Sequence, residues 1–314
     1  MKVLVAGGAG FIGSHVCDHL ARAGHEVIAL DNLSSGKKEN LPSSVRLAVL
    51  DIRSSEAASL IASEKPFAIC HLAAQMDVRK SVEDPRFDAE ANILGLLNIL
   101  EAARRSGVKK FIFSSTGGAI YGEQDVFPAT ETHATRPVSP YGVSKAAGEL
   151  YLGYYRVQYG LAFTALRYAN VYGPRQNPHG EAGVVAIFGR RLVVGESCQI
   201  FGLGKQTRDF VYGLDVARAN LLALQSDFVG PVNIGTGIET DVNTLYSLLC
   251  QVAGVSLRPV HLPAKPGEQL RSSIDNALAK RVLGWQPTVG LEEGLRQTIE
   301  FFRAQSKREG SGSG

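Results

Sequence analysis

Tyr141 and Lys145 stand four residues apart in Tyr141-Gly-Val-Ser-Lys145, at the head of an apolar, aromatic-rich segment running to about Gln158. Pro140 is a good first residue for a helix, and Ala146, Ala147, Leu150, Tyr151, Tyr154 and Tyr155 continue the periodicity, so the spacing predicts a helix over Pro140–Gln158. A separation of four puts the phenol and the ammonium on one face, one turn apart. A cation beside a phenol favours the phenolate and lowers its pKa from about 10, which would make Tyr141 a base usable near neutrality. Long helices also contain Tyr-x-x-x-Lys by chance, as a core tyrosine beside a solvated lysine. Its company separates the two readings: a glycine-rich loop lies upstream, and a Ser114-Ser-Thr116 strand end lies between.

Lys2-Val-Leu-Val-Ala6 reads as a strand and leads directly into Gly7-Gly-Ala-Gly-Phe-Ile-Gly13, readable as Gly7-x-x-Gly10-x-x-Gly13 or as Gly8-x-Gly10-x-x-Gly13. In either reading the glycines allow a tight turn and let backbone N–H groups approach a pyrophosphate at the start of a helix near Phe11. The context this motif needs is present, with an amphipathic helix Ile12–Arg22 and a second strand Glu26–Leu30 after it. That strand ends in Asp31, about 20 residues past the glycines, where a carboxylate can accept from an adenosine ribose. The same charge would repel a 2′-phosphate, which argues for NAD. Lys37 and Lys38 lie beyond Ser34-Ser35-Gly36 and read as surface charges.

These groups need elements to position them. A strand is expected at Val45–Leu50, ending at Asp51-Ile52, then a helix Ser55–Ser63 and a strand Phe67–Leu72 leading into Ala73-Ala74-Gln75. A long helix, Pro85–Ser106, carries Ile93, Leu96, Leu97 and Leu100 at helical spacing, and a strand Val108–Phe113 ends in Ser114-Ser-Thr116. Strands alternating with helices imply an α/β fold, a doubly wound parallel sheet with ligands at the carboxyl ends of the strands. Asp31, Asp51, Gln75 and Thr116 all fall at such ends. After a strand Ala162–Tyr168 the pattern changes. A polar loop Arg175–Gly183 precedes helices Val184–Val194 and Leu214–Leu224, a strand Pro231–Ile234, helices Val242–Val252 and Leu291–Arg303, and a strand is expected at Ser273–Asp275. Residues 1–173 are expected to form the nucleotide-binding domain, with later segments free to re-enter it. Residues 174–309 are expected to form a smaller C-terminal substrate domain, and Gly310-Ser-Gly-Ser-Gly314 reads as an appended tail.

Bulk properties narrow the classes. The 314 residues hold 45% hydrophobic and 20% charged side chains with a net charge of +3, ordinary for a soluble globular protein. Scattered Lys and Arg argue against nucleic acid or a membrane surface. No apolar run reaches the roughly 18 residues of a membrane span. Cys17, Cys70, Cys198 and Cys250 are far apart, without metal-ligand spacing, and suit reduced thiols in a cytoplasmic protein.

The chain resembles the extended short-chain dehydrogenase/reductase family, and within it the nucleotide-sugar 4-epimerases of the UDP-galactose 4-epimerase type. The resemblance spans nearly the whole chain and rests on Gly7–Ser14, Asp31-Asn-Leu-Ser-Ser-Gly36, His71-Leu-Ala-Ala74 and Phe113-Ser-Ser-Thr116. It continues through Tyr121-Gly122, Ser139–Lys145, Leu166–Pro174, Arg208-Asp-Phe210 and Lys265-Pro-Gly-Glu268. It implies that Tyr141 is the base for the sugar 4-hydroxyl, that Lys145 bonds the nicotinamide ribose, and that Thr116 hydrogen-bonds the reacting oxygen. Gly7, Gly10, Phe11, Ile12 and Gly13 would face the pyrophosphate. Asp31 and Asn32 would hold the ribose, Asp51 with Ile52 the adenine edge, and Ser35 and Gly36 would also bind the cofactor. Leu72, Ala73, Ala74, Gln75, Asn92, Ser114 and Tyr168 would line the cofactor further along. Asn170, Val185, Phe201, Arg208, Lys265 and Glu268 match positions for the nucleotide diphosphate, and Ser272, four past Glu268, lies near the sugar's 2-substituent. Arg208 is the best of these on chemistry, since a guanidinium suits bidentate phosphate recognition. NAD would take hydride from C4 and return it to the other face of the 4-keto sugar, with no net redox and no metal. The family also implies a homodimer built on helices Pro85–Ser106 and Pro140–Gln158.

Departures bear on this. An extra glycine lies between Thr116 and Tyr121, so Ser115 is the alternative for the hydroxyl role. Lys265 replaces a frequent Arg, Phe210 a Tyr, and Val184 an Asn found in some members. Dehydratases and decarboxylases of the family add an acid beside the hydroxyl residue. Here Gly117, Gly118 and Ala119 follow Thr116, and the first carboxylate is Glu123, which disfavours elimination. UDP-glucuronate epimerisation stays open as a further alternative. A catalytically silent NAD sensor could keep the glycine loop but would have little need of Thr116, Tyr141 and Lys145 together.

Overall fold

The computed structural model describes residues 1–178, 183–264 and 269–311, the last three by backbone alone. Seven strands form one sheet in the order Arg46–Val49, Glu26–Asp31, Lys2–Ala6, Ala68–His71, Lys110–Thr116, Ala162–Tyr168, Gly230–Ile234. Every neighbouring pair is parallel. The central strands are buried on both faces, which is why Val3-Leu-Val-Ala6 and Ile28-Ala-Leu30 read as continuous apolar runs. One core cluster places Val3, Val5, Val16, Leu20, Ile112, Leu166 and Val232 on one face, and another places Leu4, Ala6, Ile69, Leu96, Phe111 and Phe113 on the other. This is the doubly wound α/β fold expected from the alternation.

Several elements differ from the sequence expectation. The strand expected at Val108–Phe113 occupies Lys110–Thr116, because Ser115 and Thr116 continue in register with Arg167 and Tyr168. The single helix expected over Pro85–Ser106 is interrupted. It runs as Pro85–Ala89, a π-helical stretch Glu90–Leu94, and Gly95–Arg105. One widened turn of this kind commonly marks a functional position, and Asn92 lies in it. Residues Ser273–Asp275 form no strand; Ile274 makes one isolated bridge to Ala129.

The Pro140–Tyr159 helix is fixed at both ends. The Ser139 hydroxyl accepts from Gly142 N at 3.2 Å, Pro140 takes the first turn, and Gly160 closes the helix at φ 71°. A third core, on Tyr172, Val185, Phe188, Ile200, Phe210, Tyr212, Leu245 and Leu295, binds the C-terminal elements together. Short strand pairs join them: Asn170–Tyr172 with Phe210–Tyr212, Thr207–Arg208 with Thr240–Asp241, and Gln199–Phe201 with Val260–Leu262. Phe210, one of the departures noted in the sequence, is buried edge-on to Tyr172, its ring centroid 6.4 Å away.

Candidate active site

The glycine loop begins where the first strand ends. Gly7 has φ +78°, and a Cβ on it would lie 2.6 Å from Ala73 N. A Cβ on Gly13 would sit 2.0 Å from the Gly7 carbonyl oxygen, so the helix Phe11–Arg22 packs onto the loop only with glycine there. Gly10 caps this helix without a side chain and has only the Gly7 oxygen near its Cβ position, at 3.3 Å. The helix start at Phe11 and Ile12, with its unpartnered first-turn N–H groups, therefore faces a cradle that backbone alone lines. A dinucleotide pyrophosphate fits this cradle.

The expected ribose and adenine residues are held firmly. Asp31 is buried, and its carboxylate accepts from Ala9 N at 3.0 Å and Leu33 N at 2.8 Å, tying the Asp31–Gly36 turn to the glycine loop. A Cβ on Gly36 would lie 2.9 Å from the Asp31 Oδ1, while Ser35, Lys37 and Lys38 are exposed. Asn32 Nδ2 donates to Asp51 Oδ2 at 3.1 Å. Arg53 forks onto the same carboxylate at 2.8 and 2.9 Å, and its bonding holds Asp51 well below the usual carboxylate range. With Arg53 N donating as well, all four lone-pair directions of Asp51 are spent on the protein. Ile52 is buried, and its carbonyl accepts from Asn98 Nδ2 at 2.7 Å.

Leu72 N and Ala73 N both donate to Ala6 O, placing Leu72–Gln75 alongside the glycine loop, with Ala74 half-buried. Asn92 clamps the backbone of Gln75 from both sides: its Oδ1 accepts from Gln75 N and its Nδ2 donates to Gln75 O, each at 2.8 Å. The Gln75 side chain donates to Asp77 O and to Asp88, so the amides of Gln75 and Asn92 shape the wall. Tyr168, the register partner of Thr116, is buried, and its hydroxyl accepts from Asn220 at 2.9 Å.

At the far end of this edge lie Tyr141, Lys145 and Thr116. Lys145 Nζ donates to Ser114 O at 2.8 Å and sits over the rings of Phe113 and Tyr141, 4.9 and 5.7 Å from their centroids. Burial lowers Lys145 to about 8, with Asp88 opposing the fall. Burial raises the Tyr141 phenol above its ordinary value, and the Asp88 charge adds to it. The sequence expectation that Lys145 lowers this phenol is thus corrected: desolvation outweighs an ammonium that lies over the ring face and bonds elsewhere. The Thr116 hydroxyl accepts from Ala119 N at 3.2 Å, capping the turn Gly117–Ile120, which absorbs the extra glycine and leaves the O–H to donate outward. Ser115 points to the other side of the strand and donates to Glu149 Oε1 at 2.5 Å, so Thr116 suits the hydroxyl role better.

Residues that motif reading passed over hold this arrangement. Glu149, two turns beyond Tyr141, is paired with Arg167 at 2.6 and 2.9 Å, and Arg167 donates to the buried Tyr121 hydroxyl at 2.9 Å. Asp209 is buried within the Arg208-Asp-Phe210 motif and accepts from Thr236 N, Thr236 Oγ1, Gly237 N and Ile274 N. Burial raises its carboxyl while these bonds oppose the rise. Asp88 belongs to the same class. The available signal was spacing: Glu149 shares the Tyr141 and Lys145 stripe, and Asp88 lies one turn before Asn92.

The expected diphosphate residues are distributed over the C-terminal elements. Asn170 is exposed, and its N–H donates to Asp209 O at 2.9 Å. Val185 is buried in the helix Val184–Val193, and Phe201 is half-buried in its strand. Arg208 is half-buried and donates from Nη1 to Thr207 O at 2.8 Å. Ser272 is buried. Lys265 and Glu268 lie outside the described residues. Among the described residues, no group of His, Cys, Asp or Glu could hold a metal ion, and no helix is long and apolar enough to cross a membrane. The four cysteines are free.

A sheet with this order, a glycine cradle at its first crossover, and a Tyr-Lys helix against its fifth strand define a dinucleotide-dependent enzyme of the extended short-chain type. The chain belongs to the NAD dependent epimerase/dehydratase family, whose profile matches residues 3–235. It is 45% identical to the UDP-glucose 4-epimerase of Mycolicibacterium smegmatis, across 98% of this chain and all of that one. Among solved structures it is similar to the Thermotoga maritima UDP-glucose 4-epimerase with UDP-glucose, at 52% identity and a TM-score of 0.95, covering 98% of this chain and 100% of that one. It is also similar to the Thermus thermophilus UDP-glucose 4-epimerase in complex with NAD, at 46% identity and a TM-score of 0.91, covering 96% and 99%.

Proposed function

We propose that this protein is an NAD-dependent nucleotide-sugar 4-epimerase that interconverts UDP-glucose and UDP-galactose. The observation that carries the reading is Lys145, bonded to Ser114 O and lying over the Tyr141 ring, two residues from Thr116 at the carboxyl end of the strand Lys110–Thr116, in a chain similar to UDP-glucose 4-epimerases over nearly its whole length. NAD, when bound, would supply the hydride acceptor for C4. The chain's own residues do the rest. Tyr141 takes the proton of the 4-hydroxyl, Thr116 donates to the same oxygen, and Lys145, fixed on Ser114 O, reaches the nicotinamide ribose. Arg208 serves the diphosphate as a charged fork, with Asn170, Val185 and Phe201 around it.

The test is Tyr141→Phe, which keeps the ring and its packing. Turnover of UDP-galactose should fall at least ~10²-fold, the low end for a lost general base, while NAD content stays at the parental level. Near-normal turnover would place the base elsewhere. A screen of UDP-, dTDP- and GDP-sugars, read as the C4 epimer ratio, decides the sugar.

The reading includes a homodimer. Leu150 and Val157 on Pro140–Tyr159 are 77% and 80% exposed, Val143 and Tyr154 are exposed on the same helix and Leu94 on the stretch Glu90–Leu94, leaving apolar surface on both. Pairing these helices across a two-fold axis would cover it. Light scattering at micromolar concentration showing only a 33.6 kDa species would reject the dimer.

A further inference from the structure

We propose that Asp88 is a positioning residue for the reaction: its buried carboxylate locks the Tyr141–Lys145 helix to the cofactor wall and supplies the negative charge facing both groups. Asp88 is fully buried on the short helix Pro85–Ala89. Its Oδ1 accepts from Asn92 Nδ2 at 2.9 Å and from Gln75 Nε2 at 3.1 Å, the two residues that shape the wall next to the glycine loop. Its Oδ2 accepts from Ser144 Oγ at 2.6 Å, and Ser144 lies between Tyr141 and Lys145 on the catalytic helix. One carboxylate therefore joins its own helix to Gln75 and to Ser144, 13 and 56 positions away. The π-helical stretch Glu90–Leu94 begins just after it and presents Asn92 to the same oxygen.

A buried carboxylate bonded only to neutral donors is costly, and a well-packed neutral group would serve packing alone. Its charge has a use here. Asp88 acts on Lys145, opposing the loss of the ammonium to burial, and on Tyr141, raising the phenol. Other charged groups on the elements packed against this helix lie elsewhere. Arg79, Lys80 and Glu83 on Val78–Glu83, and Arg86 and Glu90 flanking Asp88, are exposed. Lys110 bonds Ser226 O at the opposite end of its strand, and Glu149 and Arg167 pair with each other. Asp77 and Asp84 cap the N-termini of the two short helices, His71 is kept neutral by burial with a pKa of about 3, and Tyr168 is kept protonated by burial.

The proposal rests on the epimerase reading for its kinetic arm and stands apart from it in the other. Asp88→Asn keeps the shape and removes the charge. The Lys145 midpoint, followed by NMR of the lysine ζ-nitrogen with Lys145→Arg as blank, should drop by about one unit from the parental value, the low end for losing a neighbouring opposite charge. In turnover, the alkaline limb of kcat should move to lower pH by a similar amount, with kcat down by up to about 10²-fold and KM within twofold. Ser144→Ala cuts the tether and leaves the charge. It should lower kcat with the pH profile in its parental place, and it keeps the question open to test should Asp88→Asn fail to fold. An unmoved Lys145 midpoint in Asp88→Asn would overturn the proposal, as would a parental kcat in Ser144→Ala. A parent without 4-epimerase activity would instead sink the function proposed above, and the NMR titration would still decide the role of Asp88.

Discussion

Two alanine substitutions in the glycine loop should separate a residue that the protein needs from one that the cofactor needs. A Cβ on Gly13 would lie 2.0 Å from the Gly7 oxygen, against a practical floor of 3.0 Å, so the loop and the helix must part by at least 1.0 Å. That movement breaks the Gly10 N to Gly7 O bond, now 3.2 Å, and overpacks a tight junction, which costs about 1–3 kcal/mol. It also displaces the N–H groups at Phe11 and Ile12. Each charge-assisted bond lost there is worth about 1.5–3 kcal/mol, or roughly 10- to 150-fold in NAD affinity. Gly10 is different. Its φ of −72° and ψ of 179° suit alanine, and the nearest protein atom to the added methyl is at 3.3 Å. Gly10→Ala should leave the unfolding temperature of the cofactor-stripped protein within a degree or two of the parent, by analogy with surface changes of about ±0.5 kcal/mol. It should nevertheless lose NAD, because the methyl occupies the close approach of backbone to pyrophosphate. The assay is NAD released on denaturation per mole of purified protein, with thermal unfolding of the stripped protein beside it. Parental NAD content in Gly10→Ala would refute the assignment of this loop as the cofactor cradle. Parental stability of stripped Gly13→Ala would refute the packing argument.

Further outcomes are expected elsewhere. Glu149→Gln leaves Arg167, whose side chain is only 6% exposed, without its charge partner, and unfolding measurements should show a loss of about 3–5 kcal/mol. The nucleotide released from the parent should be NAD; NADP would mean that Lys37 or Lys38 reaches the ribose in place of the exclusion by Asp31. Ser272 is small, so the parent should also act on UDP-N-acetylglucosamine, and Ser272→Tyr should suppress that substrate selectively. Equal losses on both sugars would remove Ser272 from the specificity argument.

The alternation of strands and helices up to Tyr168 was legible because its signals are local. The glycine loop, the Asp31 offset and the Tyr-Lys spacing each sit within one strand–helix unit, and the catalytic helix ends one residue from its predicted limit. Long-range pairing was harder to read. Ser114-Ser-Thr116 has no apolar alternation, yet it is strand because Leu166, Arg167 and Tyr168 pair with it. The strands Gln199–Phe201, Thr207–Arg208 and Phe210–Tyr212 are two or three residues long, too short for periodicity to register. Spacing could point to the buried carboxylates but not to their partners: Asp88 gains its meaning from Ser144, 56 positions away, and Asp209 from Thr236, 27 away.

The seventh strand also sets an order of events for a chain emerging from the ribosome. Gly230–Ile234 completes the sheet at its outer edge, against Ala162–Tyr168, and buries Val232 and Ile234 in the core. Until residue 234 has been made, Ala162–Tyr168 is an unpaired edge bearing Phe163, Ala165 and Leu166, open to adhesion between nascent chains. Severing the polypeptide near residue 173 would therefore yield an aggregation-prone fragment rather than a working nucleotide-binding half, and co-expression of the two pieces should restore solubility by supplying the missing edge.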